Sequence, residues 1–437
     1  MARFTSMILA PALLMVSATG SLAGISTAQD ILNQFNGVVF GNFSSTADTQ
    51  GRVVVGKDLT GATNFDTTPN NTLASTFAGV NIYGNVNIPG TGIVAVNNGG
   101  GIAIGGSNAN GITLSGGGNI YIGQTSSATA NPLHADGGTI SIGQANASTL
   151  TAAGSVYVGS TNNGAITTTG TSAATVSING NNKANITATG SANVTVNGDP
   201  FNVSMNGGVL TYLSGVTATG TQTGYARKTV SPSITVAAPT NPLSSSFFST
   251  FESTMTTLSS TIQAMANDGK SSVSVSGANM TINAKPTNGQ AVVSVNESQF
   301  AGIAKVVLNL NGATSFFINV NADSSPTFTL SALTFFGTGG AAPTTYADNV
   351  LWNFYNATTL NIDTEFGGTV LAPKAAVANT GPIDGTLVAA SYTGQGELRS
   401  YRFTGTVPVV KAPEPASMAL FGIALAGLAA SRRRARR

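Results

Sequence analysis

The chain has 437 residues, of which only 8% are charged and 7% aromatic, with 53 glycines and no cysteine. This balance suits thin strands and tight turns rather than thick helical packing. A hydrophobic fraction of 41% and a formal charge of +2 do not carry the low-hydrophobicity, high-charge signature of disorder, and without cysteine neither disulfides nor thiolate metal sites can hold the fold.

At the start, Arg3 precedes an apolar stretch over residues 7–16 and then Ser21-Leu22-Ala23. That order predicts a secretory signal over residues 1–23, cleaved after Ala23. The apolar run is well short of the ~20 residues that span a bilayer. Residues 24–84 open the folded body.

From residue 85 to 198 an apolar-x-apolar unit followed by Gly or Asn recurs as "NVNIPG", "GIAIGG", "NIYIGQ", "TISIGQ", "SVYVGS", "TVSING" and "NVTVNG". Its second apolar residues are Ile88, Ile104, Ile122, Ile142, Val158, Ile178 and Val196, spaced 16, 18, 20, 16, 20 and 18 apart. Weaker half-units lie between them, such as Ile112-Thr113-Leu114, Leu150-Thr151-Ala152 and Ile166-Thr167-Thr168. Period-two alternation with a turn signal every half-unit predicts an all-β, β-helix-like solenoid over 85–237. A β-sandwich of hairpins is the competing reading.

Between "NPLSSS" and "NDGK", Phe248, Phe251, Met255, Leu258, Ile262 and Met265 form one helical stripe, predicting a long amphipathic helix over 243–268. Ser244 to Ser246 offer N-caps and Gly269 a stop. Such a helix is expected to lie along the solenoid wall. Residues 271–405 return to strands that complete the same domain, and 406–412 read as a linker.

The last segment, 413–437, has three parts. Pro413 and Pro415 flank Glu414; sixteen uncharged residues follow over 416–431; then come Arg432, Arg433, Arg434, Arg436 and Arg437. Sixteen helical residues reach about 24 Å against a hydrocarbon core of about 30 Å, so this short hydrophobic helix would cross a membrane only with local thinning. Without Arg3, the tail arginines and Glu414, the body carries 12 basic against 15 acidic residues, so no basic surface for nucleic acid is visible. The tripartite tail resembles the PEP-CTERM sorting signal of Gram-negative bacteria. The resemblance implies recognition by an exosortase, cleavage near Pro413–Pro415, a transient inner-membrane intermediate held through 416–431, and delivery to the cell surface or extracellular matrix.

Two further stretches resemble the ends of the choice-of-anchor A adhesive domain. In "FNGVVFGNFSSTADTQGRVVVGKDL" the matching residues are Phe40, Gly41, Phe43, Asp48, Gly51, Arg52 and Gly56. Near the other end they are Leu371-Ala372-Pro373, Asp384-Gly385 and Gly396-Glu397-Leu398. Lys57 replaces a usual second Gly and Arg399 stands where His is common, so no role of that His carries over. The resemblance implies a surface-displayed, non-catalytic domain.

Residues with chemistry to offer are sparse. His134, Asp136 and Lys183 are too few for a polysaccharide-cleaving groove. Asp363 and Glu365 would share one side of an extended strand as a carboxylate or Ca²⁺ pair, against a reading as exposed strand-end acids. Trp352 and Phe354, beside Tyr355, read as a core anchor rather than a sugar platform. Asp48 and Arg52 read as a pair bracing a turn. Thr187-Ala188-Thr189, Thr167 to Thr169 and Thr217-Ala218-Thr219 would form a hydroxyl ladder only if successive rungs repeat them in register, and most units carry Asn, Ser or Tyr instead. The expectation is a non-enzymatic matrix adhesin that needs no cofactor or metal and binds exopolysaccharide or cell-surface glycans. Ice binding is the alternative, and polysaccharide degradation ranks below it.

Overall fold

The computed structural model describes residues 27–409 apart from 62, 69–74, 171–173, 225, 231–233, 235–236, 244, 266–269 and 323–326. Ala23, Pro413, Glu414, Pro415, the tail arginines, the hydrophobic segment 416–431, the Ser244 cap and the Gly269 stop all lie outside these residues. Among the described residues no helix is long and apolar enough to cross a membrane.

Most strands are three or four residues long because the chain turns a corner at each Gly or Asn signal. Ile120–Ile122 and Ile140–Ile142 bury both isoleucines and leave the middle residue half-exposed. Strand then stacks on strand in parallel, Ile102 on Ile120 on Ile140 on Val156. Among the described residues the strand pairs are parallel except for the hairpin of Ser272–Ser276 with Asn279–Asn283. Hairpins would have required antiparallel neighbours, so the body is a β-solenoid and not a sandwich.

Each complete turn of chain contributes to three faces. The first belongs to a 19-stranded sheet that includes Val80–Ile82, Ile102–Ile104 and Ile120–Ile122. The second is a 9-stranded sheet that includes Gly111–Leu114, Leu150–Ala152 and Ile166–Thr168, so the half-units of the sequence are its strands. The third is a ladder of single bridges through Leu59, Val86, Asn108, Ser126, Asn146, Asn162 and Asn182.

One member of the repeat is misplaced by sequence spacing. The rung before Ile102–Ile104 is Val80–Ile82, whereas Ile88 is buried beyond the corner residue Val86 and belongs to no strand. A corner that also fills the interior shows the same apolar-x-apolar pattern as a strand, so periodicity alone cannot separate them.

Stacking order departs from chain order. Gly37–Val39 sits between Val53–Val55 on one side and Leu387–Gly394 on the other. The chain therefore enters mid-solenoid and climbs to Ala226–Val230. It then returns through a helix to the opposite end at Gln290–Asn296 and climbs again through Ser315–Asn321, Val350–Asn353 and Thr369–Asn379 to meet its own start.

Two helices cover the outer side of the first face around this joint: α1 (Ala28–Gln34) and α2 (Ser245–Ala264). Thr27 and Asp30 cap α1 reciprocally. Phe251, Met255, Leu258 and Ile262 of α2 are buried with Val38, Val54, Phe317, Leu351, Leu371 and Val388, while Phe248 and Met265 are half-buried at its ends. Each fully buried side chain contributes about 1.5–3 kcal/mol. Polar ties fix the helix register: Asn353 Nδ2 donates to Ser259 O at 2.8 Å and to Asn319 Oδ1 at 2.8 Å, and Asn319 Nδ2 donates to Ile262 O at 2.9 Å.

Residues of the two resembling stretches meet at the joint. A Cβ on Gly41 would lie 2.6 Å from Ala390 O, so only glycine lets these rungs approach. Asn36 Nδ2 donates to Gly385 O at 2.8 Å, and its Oδ1 accepts from Gly51 N at 3.1 Å. Signatures far apart in sequence are thus one seam in space.

Candidate surface-binding face

The 9-stranded sheet keeps an open outer surface. Its strands bury Ile112, Leu114, Leu133, Ala135, Leu150, Ala152, Ile166, Ile186, Ala188, Val203 and Met205 inward, which turns the residue between each pair outward. Register then assembles one outward column, Ala95–Thr113–His134–Thr151–Thr167–Thr187–Ser204–Thr223. Every member is exposed or half-exposed.

At two rungs a flanking position doubles the column into a small lattice. Thr167 and Thr169 lie one rung from Thr187 and Thr189, the backbone bond Thr189 N to Thr168 O running between them at 3.2 Å. Rungs repeat at about 4.8 Å and alternate residues along a strand at about 6.7 Å, so at these two rungs methyl and hydroxyl groups recur in two directions. Asn, Ser and Tyr, which dilute the threonine pattern in sequence, largely belong to the other faces: Asn108, Asn146 and Asn162 to the bridged ladder, and Tyr121, Ser141 and Tyr157 to the helix-bearing sheet. Thr217 and Thr219 lie outside the lattice; Thr219 Oγ1 donates to Asp199.

The bridged face stiffens this lattice from within. Asn146 Nδ2 donates to Asn162 Oδ1 and Asn162 Nδ2 to Asn182 Oδ1, each at 2.7 Å, while the same amides reach Ser148 O and Gly164 O at 2.9 and 2.8 Å. Asn108, Ser126, Asn146, Asn162 and Asn182 are buried. A buried amide satisfied on both sides holds the rung spacing to a single value.

The other sequence candidates do not converge. His134 occupies mid-strand in the outward column, and Asp136 follows just past the end of that strand. Lys183 follows the corner residue Asn182 on the bridged side. Asp363 lies past the end of Thr359–Ile362 and accepts from Thr380, while Glu365 faces Arg399 at 3.5 Å, so they do not act as a pair. Trp352 and Phe354 are core: Trp352 Nε1 donates to Gly367 O at 3.1 Å and its ring packs on Phe335 and Phe366.

Asp48 does not pair with Arg52. It accepts from Asn64, while Arg52 donates to Gln34 O and has Asp66 as its charged neighbour; burial lowers the Arg52 pKa and Asp66 opposes this. Arg399 instead gathers Glu397 at 2.8 Å, Asp384 at 3.4 Å and Glu365 at 3.5 Å. Asp384 is fully buried at the seam, and burial, with Glu365 adding to it and Arg399 opposing, pushes its carboxyl up to about 6. Sequence spacing gave no sign of this cluster, because its members come from three separate rungs. Among the described residues no group of three or more His, Cys, Asp or Glu is arranged to hold a metal ion.

The fold is a parallel β-solenoid with one open side whose outward column is mostly threonine. The family model described as "Putative Ice-binding-like adhesive domain" matches residues 28–179 and 117–400, and the chain belongs to that family. The PEP-CTERM protein-sorting motif matches residues 411–434. The chain is therefore an exported, surface-directed protein with an ice-binding-like adhesive domain. No curated protein matches it. A solved ice binding protein from an Antarctic bacterium, Flavobacteriaceae, is similar at 13% identity and a TM-score of 0.25, over 88% of this chain and 100% of that one.

Proposed function

We propose that the protein is a processed, non-catalytic surface adhesin whose threonine face adsorbs to ice. The carrying observation is the in-register column from Thr113 to Thr223. An array of methyls and hydroxyls with no Phe, Tyr or Trp in its main column matches an ordered water lattice better than a sugar chain, and many weak contacts made together give strong retention. This places ice ahead of exopolysaccharide, the order opposite to that expected from sequence. Export uses the signal ending at Ala23. An exosortase cuts near Pro413–Pro415 while residues 416–431 hold an inner-membrane intermediate, and the adhesin stays at the cell surface or in the matrix of a Gram-negative bacterium.

The test is partition of the fluorescently labelled full chain into a slowly growing ice hemisphere. Enrichment in the ice, lost in Thr167→Arg/Thr187→Arg, is expected. Exclusion from ice overturns this reading.

A further inference from the structure

The helix-bearing sheet has an opening of its own beyond α2, where Tyr121 and Ser141 are half-exposed while Asn81, Ala103 and Tyr157 beside them are buried. Its outward column continues past α2 as Asn81, Ala103, Tyr121, Ser141 and Tyr157. Tyr121 stands between two small neighbours and stays half-buried. The segment leading back to α2 crosses this point, and its Pro239, Thr240 and Pro242 bound a cleft of about 420 Å³ with Phe77 and Tyr121. That volume lies within the ~300–1,000 Å³ of small-molecule sites.

Several features preform the cleft. Two prolines fix the crossing segment, Asn241 Oδ1 accepts from Leu243 N at 2.8 Å, and Leu243 is buried. At the rim Asn119 Oδ1 accepts from Thr139 N at 2.9 Å and Thr139 Oγ1 at 3.0 Å, which sets the amide so that its Nδ2 is the donor available to a ligand. Among the described residues no charged side chain lines the cleft. An anionic ligand would lose hydration there without a counter-charge, whereas a neutral pyranose offers an apolar C–H face to an aromatic ring and hydroxyls to amides and threonines.

We infer that this cleft binds a neutral pyranose unit of a polysaccharide, with Tyr121 as the stacking platform and Asn119, Thr139 and Thr240 as the hydrogen-bonding rim. The inference rests on the surface display proposed above and not on the threonine face. The adhesin thus holds two unlike surfaces on two sides of one rod.

The experiment is calorimetric titration of the full chain with neutral hexasaccharides of β-1,4-glucan, β-1,3-glucan and β-1,4-mannan, with a galacturonic acid hexasaccharide as the charged control. Saturable binding of at least one neutral probe is expected, weaker by about tenfold in Tyr121→Ala and abolished in Ser141→Arg, which adds bulk and charge at an outward position. Binding in Tyr121→Phe stays within about threefold, and circular dichroism melts report whether each variant is folded. Thr167→Arg/Thr187→Arg leaves sugar binding intact, which separates failure of the ice reading from failure of this one. No neutral binding, equal binding of the charged probe, or unchanged binding in folded Ser141→Arg overturns the inference.

Discussion

The two halves of this solenoid are built from different material. Rungs between Ile102 and Val196 are filled by Ile, Val, Leu and Ala, follow chain order, and leave two outer sides open. Rungs from 290 to 399 contain Phe316, Phe328, Phe335, Trp352, Phe354 and Phe366, meet the N-terminal strands at one joint, and share the helices with them. The lesson is a division of labour. A rung of small residues is narrow and flat, which suits a contact lattice, but each one buries little and depends on its neighbours. The aromatic half has the thicker core and holds the chain's start and end together.

Removing a ring from the thick half should have the largest effect. Trp352→Ala leaves a cavity between Phe335 and Phe366 and frees Gly367 O, so a loss of about 3–5 kcal/mol is expected, read as a lowered denaturation midpoint. A midpoint within error of wild type would remove the aromatic half from its anchoring role. Next comes the internal ladder of the thin half. Asn162→Ala removes one acceptor of Asn146 Nδ2 and the donor to the buried Asn182 Oδ1 and should cost about 1–3 kcal/mol, with faster hydrogen exchange concentrated in rungs 140–196. Exchange that rises uniformly along the rod would show that the halves unfold as one unit.

The seam adds a pH dependence. Asp384 has a folded pKa of about 6 against an ordinary value of 3.8. Its stabilising contribution is complete below the unfolded value and is lost as pH rises through about 6. Melting temperature should therefore fall between pH 4 and pH 7 more steeply in the wild type than in Asp384→Asn, compared by calorimetry at fixed ionic strength; parallel curves would reject the assignment. The smallest stability effect belongs to the contact face. Thr187→Val keeps shape and should change stability by less than about 0.5 kcal/mol while weakening retention in ice. A large loss of stability would mean that Thr187 is structural rather than a contact residue.

Much was legible in the sequence because the relevant forces are local. Apolar-x-apolar spacing with Gly and Asn corners specifies short strands, the stripe from Phe248 to Met265 specifies one amphipathic helix, and the Pro-Glu-Pro, apolar and arginine order specifies a sorting tail. What spacing could not assign is which face each unit joins. Ile88 looks like a rung and is a corner filler, and the threonines seem diluted until register separates Thr113, Thr151, Thr167 and Thr187 from the Asn and Tyr of the other sides. The tertiary structure alone decided the order of stacking, since parallel strands bond equally well to a neighbour in sequence or to one 350 residues away. It is the meeting of Gly37–Val39 with Leu387–Gly394 that makes two distant signatures one joint.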